Sequence, residues 1–166
     1  MRGGGSRRGQ RLKPQICSET YGRAVLILTA RDHSCTELKR KLIQKGFDAP
    51  KIDSVIAELS EQDYLNDLRY AEAYLRSRAE RGYGPQRIEC ELRQKGVREG
   101  DVQAAKDNSD ICWLEVLQKL HRKKFGNENA VDKAAEAKQM RYYLQRGFNY
   151  EQIRELWSGS RCSSEQ

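Results

Sequence analysis

Apolar residues recur along this chain at three- and four-residue spacing, the period of an α-helix with one buried face. No run alternates β-branched and polar residues in the manner of a half-buried strand. Three stretches share one pattern: Glu37–Phe47, Arg87–Val97 and Lys138–Phe148 each close on Gln, a basic residue, Gly and an apolar residue. The glycines are Gly46, Gly96 and Gly147, at offsets of 50 and 51. Ile52, Val102 and Ile153 follow them by six positions, and Val55, Ala105 and Leu156 by nine. The pattern predicts helix, stop, helix. Glycine takes the left-handed conformation cheaply and lets the last carbonyls be capped. Lys45, Lys95 and Arg146 sit on the negative end of the helix dipole. The apolar residue after the glycine packs back on the helix.

A further helix precedes each pair. It is expected to be short in the first unit, about Ala24 to Thr29. In the second it runs from Asn66 to Arg81, with Leu68, Ala71, Leu75 and Ala79 on one stripe. In the third it runs from Asp110 to Lys124, with Ile111, Leu114, Leu117 and Leu120 on the stripe and Trp113 slightly off it. Ser34, Asn66 and Ser109 are the expected N-caps. Pro50 and Pro85 stand where helices can start. The fold expected is all-α: three tandem three-helix repeats in an elongated, curved array. Its units are 22–62, 63–107 and 108–158. A basic Gly/Arg-rich arm covers 1–20 and is expected to be disordered, and a frayed end covers 159–166.

Composition agrees with a thin array. Hydrophobic residues make up 37% and charged residues 33% of the 166, which suits two-helix-deep packing better than one thick core. The formal charge of +7 is concentrated at the start, where Arg2, Arg7, Arg8, Arg11, Lys13 and Arg23 face only Glu19. Net charge is therefore weak evidence that the repeats bind nucleic acid. Five cysteines occur, with no CxxC pair and no signal peptide, which points to free thiols in a reducing cytosol. The longest apolar run, Ala24 to Leu28, is too short to cross a bilayer.

Two strings carry a family resemblance. Asp63-Tyr-Leu-Asn-Asp-Leu-Arg-Tyr-Ala-Glu-Ala-Tyr-Leu-Arg-Ser-Arg78, followed by Gly84-Pro-Gln-Arg-Ile-Glu-Cys-Glu-Leu-Arg-Gln-Lys-Gly96, resembles the central signature of the RecX family. Leu28 to Leu38, through Lys45-Gly-Phe47, is similar to that family's opening. The resemblance spans about residues 22 to 157 and is weaker in the third unit. Asn66 stands where the family usually has Asp, and Tyr70 where it often has Phe; Asn still caps a helix and Tyr keeps the ring. The Gly/Arg arm has no counterpart in the resemblance. The resemblance implies a cytoplasmic, cofactor-free and monomeric modulator of the RecA recombinase, tied to DNA recombination, repair and the SOS response. Such proteins bind the RecA–DNA filament along its helical groove. They limit its growth, ATP hydrolysis, strand exchange and co-protease activity. The alternative is a direct DNA-binding protein that competes with the recombinase for single or double strands.

Few residues suggest chemistry of their own, and the chain is expected not to be an enzyme. Asp63 and Asp67 flank a helix start, where the dipole favours negative charge, and no second carboxylate cluster makes them a two-metal site. His33 and Cys35 fall short of the four ligands of a zinc site; His33 is placed near a helix start and His121 on a solvated face. Cys90 and Cys112 are read as small core residues inside helices. Gly82-Tyr-Gly-Pro reads as a turn between helices and not as a phosphate loop, since no Gly-Lys-Ser/Thr follows. The positive run Arg69, Arg76, Arg78, Arg81, Arg87, Arg93, Lys95 and Arg98 is interleaved with acids. It reads either as a salt-bridged surface or as a ridge for phosphates or an acidic groove wall. Tyr70 and Tyr74 share a helix face. The residues taken as contacting partner or DNA are Tyr64, Arg69, Tyr70, Tyr74, Arg76, Arg78, Arg81, Arg87, Arg93 and Lys95. The arm itself either tracks phosphates without sequence preference or serves no purpose.

Overall fold

The computed structural model describes residues 18–126 and 132–162. Within them lie nine helices and no strand: α1 Ser18–Ala30, α2 Cys35–Gln44, α3 Ala49–Glu61, α4 Asp67–Glu80, α5 Pro85–Gln94, α6 Glu99–Asp107, α7 Trp113–Phe125, α8 Lys133–Arg146 and α9 Tyr150–Cys162. They fall into three units of three, each with its own apolar cluster. Leu38, Leu42, Ile52, Val55 and Leu59 fill the first. Ala71, Leu75, Ile88, Leu92, Val102 and Ala105 fill the second. Leu117, Tyr143, Phe148, Ile153 and Leu156 fill the third. Every apolar position six or nine residues after a repeat glycine is thus buried. Trp113 packs against both the second and third clusters.

The turn after each unit's second helix is the same object three times. Gly46, Gly96 and Gly147 have φ of 87°, 77° and 91°. The glycine N–H donates to the carbonyl three residues back, at Ile43, Arg93 and Leu144. The next N–H, of Phe47, Val97 or Phe148, donates to Leu42, Leu92 or Tyr143. This paired Schellman bonding satisfies carbonyls that a helix end leaves open. A related turn closes α3 with Asp63 in the glycine's place at φ 56°, where Tyr64 N–H donates to Leu59 and Asp63 N–H to Ser60. Ser34 and Asn66 cap as expected, accepting from the N–H groups of Glu37 and Arg69. Pro50 and Pro85 lie in the first turns of α3 and α5.

The units are joined by one repeated seam. At the first, Arg40 Nη1, Ser34 Oγ and Thr36 Oγ1 donate to the carbonyls of Gln94 (3.3 Å), Lys95 (2.6 Å) and Gly96 (3.3 Å). At the second, Arg87 Nη1, Gly84 N–H and Gln86 N–H donate to those of Gln145 (3.0 Å), Arg146 (2.7 Å) and Gly147 (3.1 Å). The start of one unit's middle helix therefore covers the glycine corner of the next. A Cβ at Gly96 would lie 2.3 Å from Thr36 Oγ1, and one at Gly147 2.4 Å from Arg87 Cβ. These glycines serve the close approach as well as the left-handed turn. Asp67 Oδ1 adds a tie, accepting from the Cys35 N–H at 2.8 Å.

Several expectations are corrected. Helix α1 begins at Ser18, well before Ala24, so residues 18–20 belong to the first unit and not to the arm; Thr20 is buried there. Residues 1–17 of the arm lie outside the described residues. Helix α7 starts at Trp113, not Asp110, with Cys112 at the N-cap. Ser109 instead donates to the Lys106 carbonyl at the end of α6. Cys112 and Cys90 are exposed, because Cys90 faces away from the Ile88–Leu92 stripe of α5. His121 is buried, not solvated, its Nδ1 2.6 Å from Tyr143 Oη. Helix α9 continues through Ser158 to Cys162; residues 163–166 lie outside the described residues.

Candidate partner-binding face

Two carboxylates organise the surface shared by the units. Glu37, on α2, accepts from Lys95 Nζ at 2.7 Å, Tyr70 Oη at 3.0 Å and Arg31 Nη1 at 3.3 Å. Partial burial pushes its pKa up, but these hydrogen bonds outweigh it and hold the carboxyl at about 2. Glu91, on α5, accepts from Arg78 Nη2 at 2.5 Å, Tyr74 Oη at 2.8 Å and Arg87 Nε at 3.1 Å. Burial again works against the charge, and the Arg78, Tyr74 and Arg87 bonds again prevail, so its pKa is lowered. Burial and the neighbouring carboxylate push the Tyr74 hydroxyl up to about 12, so it remains a donor.

From these anchors a strip of alternating rings and cations runs onto the third unit. Tyr70 and Tyr74 stack, centroids 5.9 Å apart. Lys95 Nζ lies 5.3 Å and the Arg78 guanidinium 5.8 Å from the Tyr74 centroid. Arg78 sits 3.8 Å from the Tyr83 centroid, and Arg87 and Arg146 both 4.9 Å from it. Arg146 is also 5.2 Å from Tyr142, whose ring Lys124 approaches to 6.0 Å. Such contacts hold planar guanidinium groups in fixed poses. Arg146 further donates to the Arg81 carbonyl at 3.3 Å. Among the described residues, neither Arg146 nor Lys124 has a carboxylate partner. Among the described residues, the cations of the strip without a carboxylate thus lie at its third-unit end.

The structure divides the candidates named from sequence. Tyr70, Tyr74, Arg78, Arg87 and Lys95 meet in this strip, with the Tyr70 ring buried and its hydroxyl turned to Glu37. Tyr64 and Arg69 lie beside the strip, lining with Tyr21, Val25, Leu28 and Tyr70 a cavity of about 390 Å³ between α1 and the start of α4; Arg69 pairs with Asp63 at 2.8 Å. Arg76 and Arg81 line a hollow against α7 with Asp110 and Glu115. Arg93 faces away, held in a two-pronged pair by Glu99 at 2.7 and 2.8 Å. Glu37, Glu91, Tyr142, Lys124 and Arg146 were not among the candidates. The one local signal was position: Arg146 occupies the basic place before a repeat glycine, as Lys95 does.

Among the described residues no group of His, Cys, Asp and Glu could hold a metal ion, and no helix is long and apolar enough to cross a membrane.

Comparison with known proteins agrees with this architecture unit by unit. Residues 21–59, 66–105 and 112–157 match the first, second and third three-helix domains of RecX. The chain is 36% identical over 136 residues to the regulatory protein RecX of Pseudomonas entomophila, covering 82% of this chain and 88% of that protein. It is 35% identical to that of Serratia proteamaculans, covering 84% and 96%. Its fold matches the crystal structure of RecX from Lactobacillus salivarius with a TM-score of 0.74, at 23% identity, over 87% of this chain and 96% of that one. The chain belongs to the RecX family of regulatory proteins.

Proposed function

We propose that this protein modulates, and mainly inhibits, a RecA recombinase by binding the RecA–DNA filament and limiting its growth, ATP hydrolysis and strand exchange. It acts in the cytoplasm as a monomer, with no cofactor and no reaction of its own. Family membership supports the partner. The observation that carries the surface is the cation–ring strip from Tyr70 to Lys124, which crosses the seam between the second and third units. A strip fixed across a seam presents its charges in a constant register, which suits an elongated, repeating partner better than a mobile set of lysines. Arginine over tyrosine is also a common composition of binding hot spots. The experiment is a titration of preformed filaments on single-stranded DNA: ATP hydrolysis falls below one-to-one stoichiometry, and no inhibition at any ratio rejects the reading.

A second reading has its own observation. Arg146 and Lys124 lack carboxylate partners among the described residues, and a phosphate backbone would neutralise them. Direct competition for DNA predicts tight binding to bare strands with a steep loss as salt rises. Undetectable binding at physiological salt, with filament inhibition retained, removes it.

A further inference from the structure

Among the described residues, two of the three glycine corners are covered by another unit and one is not. At Gly96 and Gly147 three successive carbonyls receive donors from another unit's middle helix and its cap. The donors correspond as well: Ser34 and Gly84, then Thr36 and Gln86, stand 50 residues apart. Gly46 has the same turn, with φ 87° and the same paired bonds from Gly46 and Phe47. Yet no donor among the described residues reaches the carbonyls of Gln44, Lys45 or Gly46, and a Cβ on Gly46 would meet nothing within 4 Å. Beside this corner lies a shallow hollow with Leu26, Ile27 and Ala30 on one side and Arg23, Lys41 and Lys45 around it. Leu26 is 63% exposed. None of the three cations has an ion pair among the described residues, whereas Lys95, the equivalent of Lys45, is paired with Glu37 of the covering unit.

We infer that the Gly46 corner is a vacant seam that receives the N-terminal turn of a helix from the recombinase filament, a helix whose first turn is acidic. The inference rests on the filament reading above. Both internal seams supply N–H or hydroxyl donors for the three carbonyls, and the first seam adds a carboxylate, Glu37, for Lys95, the equivalent of Lys45. The first turn of a helix offers unbonded N–H groups and favours acidic side chains. A second copy of this chain fits less well. In its own third unit Ala135 and Ala137 stand where Ser34 and Thr36 do, neither with a side-chain donor, and the Ala135 N–H is already taken by Asp132.

The test compares binding of wild type, Gly46→Asn and Lys45→Glu to filaments of the cognate RecA on single-stranded DNA. Asparagine tolerates the left-handed turn, and its side chain would occupy the space the incoming helix needs. Both variants should keep the wild-type circular dichroism spectrum and remain folded at the assay temperature, with Gly46→Asn losing less stability than Gly46→Ala. Each should bind at least about tenfold more weakly, the effect of losing one or two hydrogen bonds or an ion pair. Wild-type affinity in both variants overturns the inference and leaves the filament reading standing. Concentration-dependent self-association that Gly46→Asn abolishes would overturn it in favour of a second copy, and filament binding that Gly46→Asn and deletion of residues 1–17 each strengthen would overturn it in favour of the chain's own arm. No binding by wild type overturns both readings.

Discussion

Ser34 Oγ serves two units at once: it donates to the Lys95 carbonyl at 2.6 Å, and it accepts the Glu37 N–H at 3.1 Å to cap α2. One hydroxyl thus fixes the start of a helix in the first unit to the end of a helix in the second. Ser34 is fully buried, so water cannot take over either bond.

Replacing Ser34 with alanine should therefore cost more than an exposed cap. The lost cap is worth about 1 kcal/mol, and the stranded carbonyl adds about 1 kcal/mol or more. Urea denaturation should show a loss of roughly 2 kcal/mol, with the first unit melting ahead of the others, as in arrays stabilised by nearest neighbours. A single transition within 0.5 kcal/mol of wild type contradicts the seam.

The three glycines should respond unequally to alanine. All pay for a left-handed turn, about 1–2 kcal/mol for a residue with a Cβ. Only Gly96 and Gly147 also drive that Cβ into another unit, against Thr36 and Arg87. Denaturation of Gly46→Ala should give the smallest loss, with Gly147→Ala exceeding it by more than about 1 kcal/mol. Equal losses at the three sites would show that the close approach costs nothing.

Acid should weaken the first seam before it unfolds the cores. Glu37 titrates near 2 in the fold against 4.5 as an ordinary carboxyl. The charged form is the one stabilised, so its contribution is complete above about pH 5 and disappears as pH falls toward 2. Glu37→Gln should flatten stability across that window while lowering it at neutral pH. An unchanged slope removes Glu37 as the organising charge.

The buried His121 should act in the same direction at higher pH. Burial lowers its pKa below 6.5, so the unfolded chain takes up the proton first and stability declines as pH drops through the ordinary histidine range. Tyr143→Phe strands Nδ1 and should cost about 1–3 kcal/mol. If thermal melts of Tyr143→Phe match wild type at pH 7.5, the 2.6 Å contact contributes nothing to stability.

Much of this fold is legible in sequence because its signals are local. A Gly after a basic residue, a Ser or Asn three residues before its target N–H, and a Pro in a first turn act within one helix end. Those features at Gly46, Gly96, Gly147, Ser34, Asn66 and Pro85 were readable. What was not readable depends on distant partners. Ser109 has the right side chain for a cap, but its hydroxyl closes α6. His121 looks polar and surface-bound until Tyr143 is brought to it from α8. Cys90 sits amid an apolar stripe in sequence but on its outer side in space. Arg93 and Arg78 belong to one positive run in the sequence, yet one meets Glu99 and the other Tyr83 and Glu91. Periodicity places a helix; only tertiary packing decides which cations meet across a joint.

The strip across the second seam is the surface we propose to engage the recombinase filament. ATP hydrolysis by preformed RecA filaments on single-stranded DNA, titrated with wild type and with the double variant Arg146→Ala, Lys124→Ala, tests it directly. Wild type should inhibit below one-to-one stoichiometry, and the variant should need about tenfold more protein while keeping the wild-type circular dichroism spectrum and staying folded at the assay temperature, as expected when two contact cations are lost. Equal potency of the two proteins, or no inhibition by either, contradicts the account.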